Sequence, residues 1–186
     1  MTLQRTRRRF TAEDYHRMAQ AGILGEDDRV ELIEGEIVEM APIGSRHQAY
    51  VDRLNTLFAR RMEGRAIIRV QGPIVLGGDS EPQPDLALLR PRPDYYAGAH
   101  PTPEDVLLLV EVSDSSGDYD RQVKAPLYAR HGILEYWLVG LEAGVVEVYR
   151  QPAPEGYQQV SQVARGQRLT LQAFPSLKVR VEDVLG

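Results

Sequence analysis

Near the middle of the chain runs Val106-Leu107-Leu108-Leu109-Val110-Glu111-Val112, a segment with one charge and no alternation of polar and apolar residues. A near-continuous apolar run of strand length reads as a strand buried on both faces. The chain must therefore carry a sheet in its interior and cover it on both sides. Glu111 either marks the exit of that strand and is solvated, or leaves water with it. A buried ionised carboxylate is costly unless a cation or a set of donors meets it, so the second case predicts a positive partner.

The 186 residues fit a single domain, 1–186. With 42% hydrophobic and 26% charged residues, the composition excludes a wholly disordered or collagen-like chain. No apolar run approaches the roughly 20 residues that cross a bilayer, and the arginine-rich start has no apolar segment after it, so a cytoplasmic protein with no membrane partner is expected. Cysteine is absent, which excludes disulfides, thiolate catalysis and cysteine-held zinc. Any metal must be held by oxygen or histidine. The formal charge of −5 argues against a coat of nonspecific nucleic-acid-binding charge.

Local signals give the order of elements. Thr11 before Ala12-Glu13-Asp14 reads as the cap of a helix reaching about Gln20. Residues 29–34 and 36–40 read as a hairpin about Gly35. Ser45 reads as the cap of a longer helix, in which Tyr50, Val51, Leu54, Leu57 and Phe58 form one buried stripe. Strand-like runs follow at 66–70, 74–76, 85–89 and 106–112. A helix is expected over 118–130, interrupted or kinked at Pro126. Strands at 135–139, 145–150, 157–163 and 168–171 and a short tail close the chain. The pattern predicts an α/β or α+β fold, with helices packed on a central mixed sheet and additional antiparallel strands.

Three residues stand out chemically. Glu111 is one, and Asp85 is the second, because Pro84-Asp85-Leu86-Ala87-Leu88-Leu89 places it at the entry to another apolar strand. Two carboxylates beside buried strands make an oxygen-rich site, which suits Mg²⁺ or Mn²⁺. Lys124 is the third. Of 22 basic residues only Lys124 and Lys178 are lysine, and a compact ammonium can orient a water or phosphate oxygen in a way a planar guanidinium does not copy. The plainer reading of Lys124 is an exposed helix pair with Asp120 four residues earlier. His47 falls on the buried stripe of its helix, where a histidine is either a hydrogen-bonded core residue or a ligand.

The blocks Glu111-Val112-Ser113-Asp114-Ser115-Ser116, Tyr119-Asp120-Arg121-Gln122-Val123-Lys124, Leu127-Tyr128-Ala129-Arg130-His131-Gly132-Ile133 and Glu135-Tyr136-Trp137-Leu138-Val139 resemble the signature of the bacterial Uma-two family of endonucleases. Glu31-Leu32-Ile33-Glu34-Gly35-Glu36 and Pro84-Asp85 resemble its other blocks. The resemblance implies a restriction-endonuclease-like fold of the PD-(D/E)xK superfamily, a Mg²⁺- or Mn²⁺-dependent phosphodiester hydrolase, DNA as substrate and a homodimer. By position it makes Asp85 and Glu111 the metal-holding acids. It adds Lys124, Glu31 and His47 to the catalytic set. The lysine expected two residues after the glutamate is Ser113 here, so Lys124 must enter from the following helix.

Two basic groups offer phosphate contacts, the tail Arg5, Arg7, Arg8 and Arg9 and the cluster Arg60, Arg61, Arg65 and Arg69. Tyr95-Tyr96 offers either base stacking or an interface. The residues leave three other readings open: an inactive nucleic-acid- or protein-binding module of the same fold, a structural ion-pair network of Glu111, Lys124 and Asp120, and a hydrolase of small phosphate esters.

Overall fold

The computed structural model describes residues 7–25, 27–114 and 117–186; Arg5, Ser115 and Ser116 lie outside these. Its centre is a six-stranded sheet in the order β3-β4-β5-β6-β7-β8. The strands are β3 (Ile67–Val70), β4 (Leu86–Leu89), β5 (Val106–Ser113), β6 (Glu135–Gly140), β7 (Val145–Ala153) and β8 (Gly156–Ala164). All neighbours are antiparallel except β5 and β6. A parallel pair needs a crossover, and here the segment from 117 to 130 supplies it. The apolar run around Leu108 thus becomes an inner strand with neighbours on both sides, as its lack of alternation demands.

Alternation along these strands sorts side chains onto two covered faces. Leu86 and Leu88 of β4, Leu108, Val110 and Val112 of β5 and Trp137 and Val139 of β6 face one core. Helix α2 (Ser45–Met62) covers it with Val51, Leu54, Phe58 and Met62. Ala87, Leu89, Leu109, Tyr136 and Leu138 face the other core, closed by Ala125, Leu127 and Tyr128 of the crossover and by Ile33, Ile74 and Leu76. Asp85 and Glu111 share the parity of this second group.

The hairpin of β1 (Val30–Ile33) and β2 (Glu36–Glu39) turns at Gly35, where φ is +78° and an added Cβ would sit 2.6 Å from the Arg9 Cβ. Glycine is the residue that tolerates both conditions. Helix α1 (Ala12–Gln20) begins at the predicted Thr11, with a reciprocal capping box to Asp14. Among the described residues no helix is long and apolar enough to cross a membrane.

Four expectations need correction. Ser45 is the first helical residue of α2 and not its cap; Gly44 holds that position, with no side-chain hydrogen bond. Residues 74–76 form no ladder. Their N–H groups go to Pro82, Pro101 and Ser80 carbonyls, leaving a single bridge between Leu76 and Ser80, although Ile74 and Leu76 are buried. The helix expected over 118–130 is broken into α3 (Gly117–Tyr119), a π turn (Asp120–Lys124) and α4 (Ala125–Arg130). Pro126 near the start of α4 would meet the Gln122 carbonyl in a regular helix; the wider turn, closed by Ala125 N–H to Asp120 O, precedes it. Finally, the tail is ordered. Strand β10 (Phe174–Arg180) pairs with β9 (Arg168–Leu171), and α5 (Val181–Leu185) packs into the first core.

The Phe58 ring lies 6.2 Å from Trp137, centroid to centroid, and both side chains are fully buried. Truncation leaves a cavity between helix and sheet. Phe58→Ala should cost about 3–5 kcal/mol in chemical denaturation; a loss below about 1 kcal/mol would mean that this interface is not the packed core described.

Candidate active site

The antiparallel register of β4 and β5 pairs Leu86 with Val110. One step further along that register, Asp85 comes opposite Glu111, on the face shared by α4 and the hairpin. Like charges opposite each other on adjacent strands repel, so backbone and side-chain donors must hold them. Asp85 N–H donates to Glu111 Oε2 at 3.1 Å, and Val112 N–H donates to Asp85 Oδ2 at 2.8 Å. His47, in the first turn of α2, places Nε2 2.9 Å from the same Oδ2. Among the described residues, Asp85 Oδ1 receives a 3.4 Å contact from Gln71 Nε2 and no shorter hydrogen bond.

The crossover delivers the cation. Lys124, at the end of the π turn, donates from Nζ to Glu111 Oε1 at 3.0 Å and sits 3.3 Å from Glu31 Oε2 on β1. Four residues on, the Tyr128 hydroxyl donates to Glu111 Oε1 at 2.8 Å. Gln83 N–H donates to Glu31 Oε2 at 3.2 Å. Lys124 is 6% exposed and Asp120 4%, so the reading of these two as an exposed helix pair is overturned. The π turn rotates both inward.

Burial and neighbouring charge set the electrostatics. Desolvation is the largest influence on Glu111 and pushes its pKa up to about 8, with the charges of Asp85, Asp120 and Glu31 adding to it and Lys124 opposing. Burial works to lower the Lys124 pKa, but the carboxylates of Glu111, Glu31 and Asp120 outweigh it and hold it above its ordinary value. The ammonium is therefore a permanent charge at neutral pH. The hydrogen bond to Asp85 raises His47, against desolvation.

These groups lie at the floor of a pocket of about 440 Å³, with Asp85, Glu111, Lys124, His47 and Glu31 all in its lining. All five candidate residues read from the sequence are thus brought together. Tyr128 was missed, although it stands four residues from Lys124 on the same crossover, and so were Gln83 and Gln71, which carry no charge to mark them. Glu34 and Glu36, from the same sequence block as Glu31, lie at the surface and pair with Arg130 and Arg7. Asp85 and Glu111 bring two carboxylates together in this lining. No three acidic or histidine side chains among the described residues converge on one ion position. The donor set fits an ion such as Mg²⁺, which is commonly bound by one or two carboxylates and keeps several waters.

The basic groups stand apart from this floor. Arg60 and Arg61 are about 20 Å along α2 from His47 at 1.5 Å per residue, and Arg61 faces Asp183 at 3.8 Å. Arg65 donates to the Met62 and Arg61 carbonyls, and Arg69 packs over the Tyr96 ring. In the tail, Arg9 donates to the Glu34 carbonyl at 2.8 Å. Tyr95 is exposed, whereas Tyr96 is buried and donates to the Arg90 carbonyl.

The mixed sheet with its flanking helices is a nuclease-like fold. Residues 12–182 match the model of the Uma2 family, described as "Putative restriction endonuclease", and the chain belongs to that family. It is similar to the crystal structure of a "putative nuclease belonging to DUF820" from Anabaena variabilis, with a TM-score of 0.72 at 16% identity over 95% of this chain and 97% of that one. No curated protein sequence matches the chain.

Because Glu111 binds its proton more tightly when folded than its ordinary value of 4.5, the folded state holds extra proton as pH rises from 4.5. Stability should therefore fall between about pH 4.5 and 8 in metal-free buffer, with His47 adding to the decline above pH 6.5. Glu111→Gln should flatten the thermal-melting profile across that window. A variant whose profile tracks the wild type would contradict the assignment.

Proposed function

We propose that the chain is a Mg²⁺- or Mn²⁺-dependent nuclease that hydrolyses phosphodiester bonds in DNA. The observation that carries the reading is the convergence of Asp85, Glu111 and Lys124 in one pocket, with Nζ 3.0 Å from the carboxylate that Asp85 also touches. Buried with them are Glu31 and Asp120, so negative charge exceeds positive on this floor. That surplus favours a bound cation.

Each residue has a distinct task. Asp85 and Glu111 would hold the ion. His47 and the Val112 N–H fix the Asp85 carboxylate, while Tyr128 and Lys124 fix Glu111. Lys124 stays protonated, so it acts as a charge that orients the attacking oxygen or a phosphate oxygen and not as a base. Glu31 holds Lys124 as a second carboxylate, 3.3 Å from Nζ. When bound, the ion supplies a lowered pKa for its water and neutralises charge growing on the phosphate.

Two measurements test this. Supercoiled DNA should be nicked by wild type in Mn²⁺, and Asp85→Asn should lower the rate by about 100-fold or more while abolishing the Mg²⁺-induced rise in melting temperature. Nicking that survives the substitution, or wild type that cuts neither supercoiled nor single-stranded DNA, would overturn the reading. His47→Ala should weaken Mg²⁺ binding by about 10–100-fold, as expected of a residue that orients a ligand. An unchanged calorimetric affinity would remove His47 from the site.

One observation favours a second reading. Lys124 already contacts both Glu111 and Glu31, as a closed structural ion-pair network would. That network predicts no response of the melting temperature to Mg²⁺. The proposal also includes a homodimer that presents two such sites, for which sedimentation velocity should give twice the chain mass.

A further inference from the structure

The acids of the site are deep. Asp85, Glu111 and Glu31 are 8%, 4% and 2% exposed, so a scissile phosphate must enter the pocket to reach them. Duplex DNA is stiff over roughly 150 base pairs and cannot push a backbone phosphate into a cleft of this kind without local distortion. A single strand can.

The walls match that demand. Besides the carboxylates, Val38, Met40, Pro42 and Ile43 line the pocket along the stretch from β2 to α2. This gives an apolar side beside a charged floor. The volume of about 440 Å³ lies within the roughly 300–1,000 Å³ typical of pockets that enclose small molecules, and a nucleotide is of that size. Among the described residues, Arg29, His47 and Lys124 are the basic residues in the lining; Lys124 is engaged by two acids and His47 by Asp85. Such a lining offers no row of cations for a duplex backbone, in keeping with a chain of formal charge −5.

Unpartnered polar atoms point the same way. Among the described residues, buried polar atoms without a hydrogen-bond partner include His47 Nδ1 and the Tyr119 hydroxyl, and both residues line this pocket. Leaving such atoms unpaired is costly, and both are closed off from solvent, so a polar guest removes that cost by drawing either side chain round to face it. The Tyr136 hydroxyl is also unpartnered but lies in the second core, outside the pocket lining.

We infer that the pocket receives one unpaired nucleotide, its base against the wall of Val38, Met40, Pro42 and Ile43 and its phosphate toward Asp85 and Glu111, so that the substrate is single-stranded or locally unpaired DNA. This rests on the nuclease reading and narrows it. Enzymes that act on a nucleotide in a pocket must take it out of the stack, and an unpaired one is the easiest to supply.

The test uses the full chain, a fluorescein-labelled single-stranded 20-mer, the same sequence as a duplex, and a duplex with an internal unpaired bubble. Binding is read by anisotropy in Ca²⁺ and cleavage in Mn²⁺. The single strand and the bubble should each bind and be cut about tenfold or more better than the duplex. Ile43→Asp places a charge on the apolar wall and should weaken single-strand binding by about tenfold, the scale of one lost base contact, with the Mg²⁺-induced melting shift retained. Tyr119→Phe should weaken it with no loss of melting temperature, whereas Tyr136→Phe should leave binding unchanged. Equal use of duplex and single strand, or wild-type binding by Ile43→Asp, overturns the inference and leaves the nuclease reading standing. Preferential single-strand binding with no cleavage of any substrate overturns the nuclease reading and supports the pocket.

Discussion

One ammonium among buried carboxylates governs this molecule. Lys124 Nζ touches Glu111 on β5 and Glu31 on β1, and Glu111 in turn accepts from the Asp85 N–H just before β4. Hairpin, central strand, neighbouring strand and crossover are therefore tied at one point. Truncating one member of a buried charge pair leaves the other uncompensated, typically at about 3–5 kcal/mol. The position also explains the residue type. A planar guanidinium is larger than an ammonium and presents its donors as a rigid fork, whereas Lys124 must meet two carboxylates from different elements inside the core.

The architecture is what brings that point together. Antiparallel pairing of β4 and β5 puts Asp85 opposite Glu111, and the parallel step to β6 forces the chain back across the sheet. That crossover packs Tyr128 against Tyr136, with ring centroids 5.2 Å apart, and carries Lys124 over the end of β5. The π turn sets the angle at which the lysine arrives. The same features that make the sheet buried on both faces make the site deep, so depth and access are consequences of topology.

Much of this was legible in the sequence because burial leaves a pattern. The unalternating run through Leu108 announced an inner strand, and Glu111 within it posed a choice between a solvated exit and a buried acid with a cation, which Lys124 decides for the second. The stripe of Val51, Leu54 and Phe58 announced the covering helix and pointed His47 inward. Other features left weaker marks. Leu177, Val179 and Val181 alternate as a strand should, and Val181, Val184 and Leu185 have helical spacing, yet the intervening charges made the segment read as a tail. The pairing of Asp120 and Lys124 at helical spacing looked like an exposed ion pair because nothing local encodes a π turn except Pro126. Tyr128 could not be separated from an ordinary core aromatic, since its role depends on where Glu111 lies in three dimensions.

Diffraction from crystals soaked in Mn²⁺, with data collected at the manganese absorption edge, tests the central claim most directly. An ion shared by the two acids predicts an anomalous peak within coordination distance of both Asp85 and Glu111 in wild type, and none there in Asp85→Asn. A site that stays empty at saturating Mn²⁺, with Lys124 still locked between Glu111 and Glu31, would contradict it.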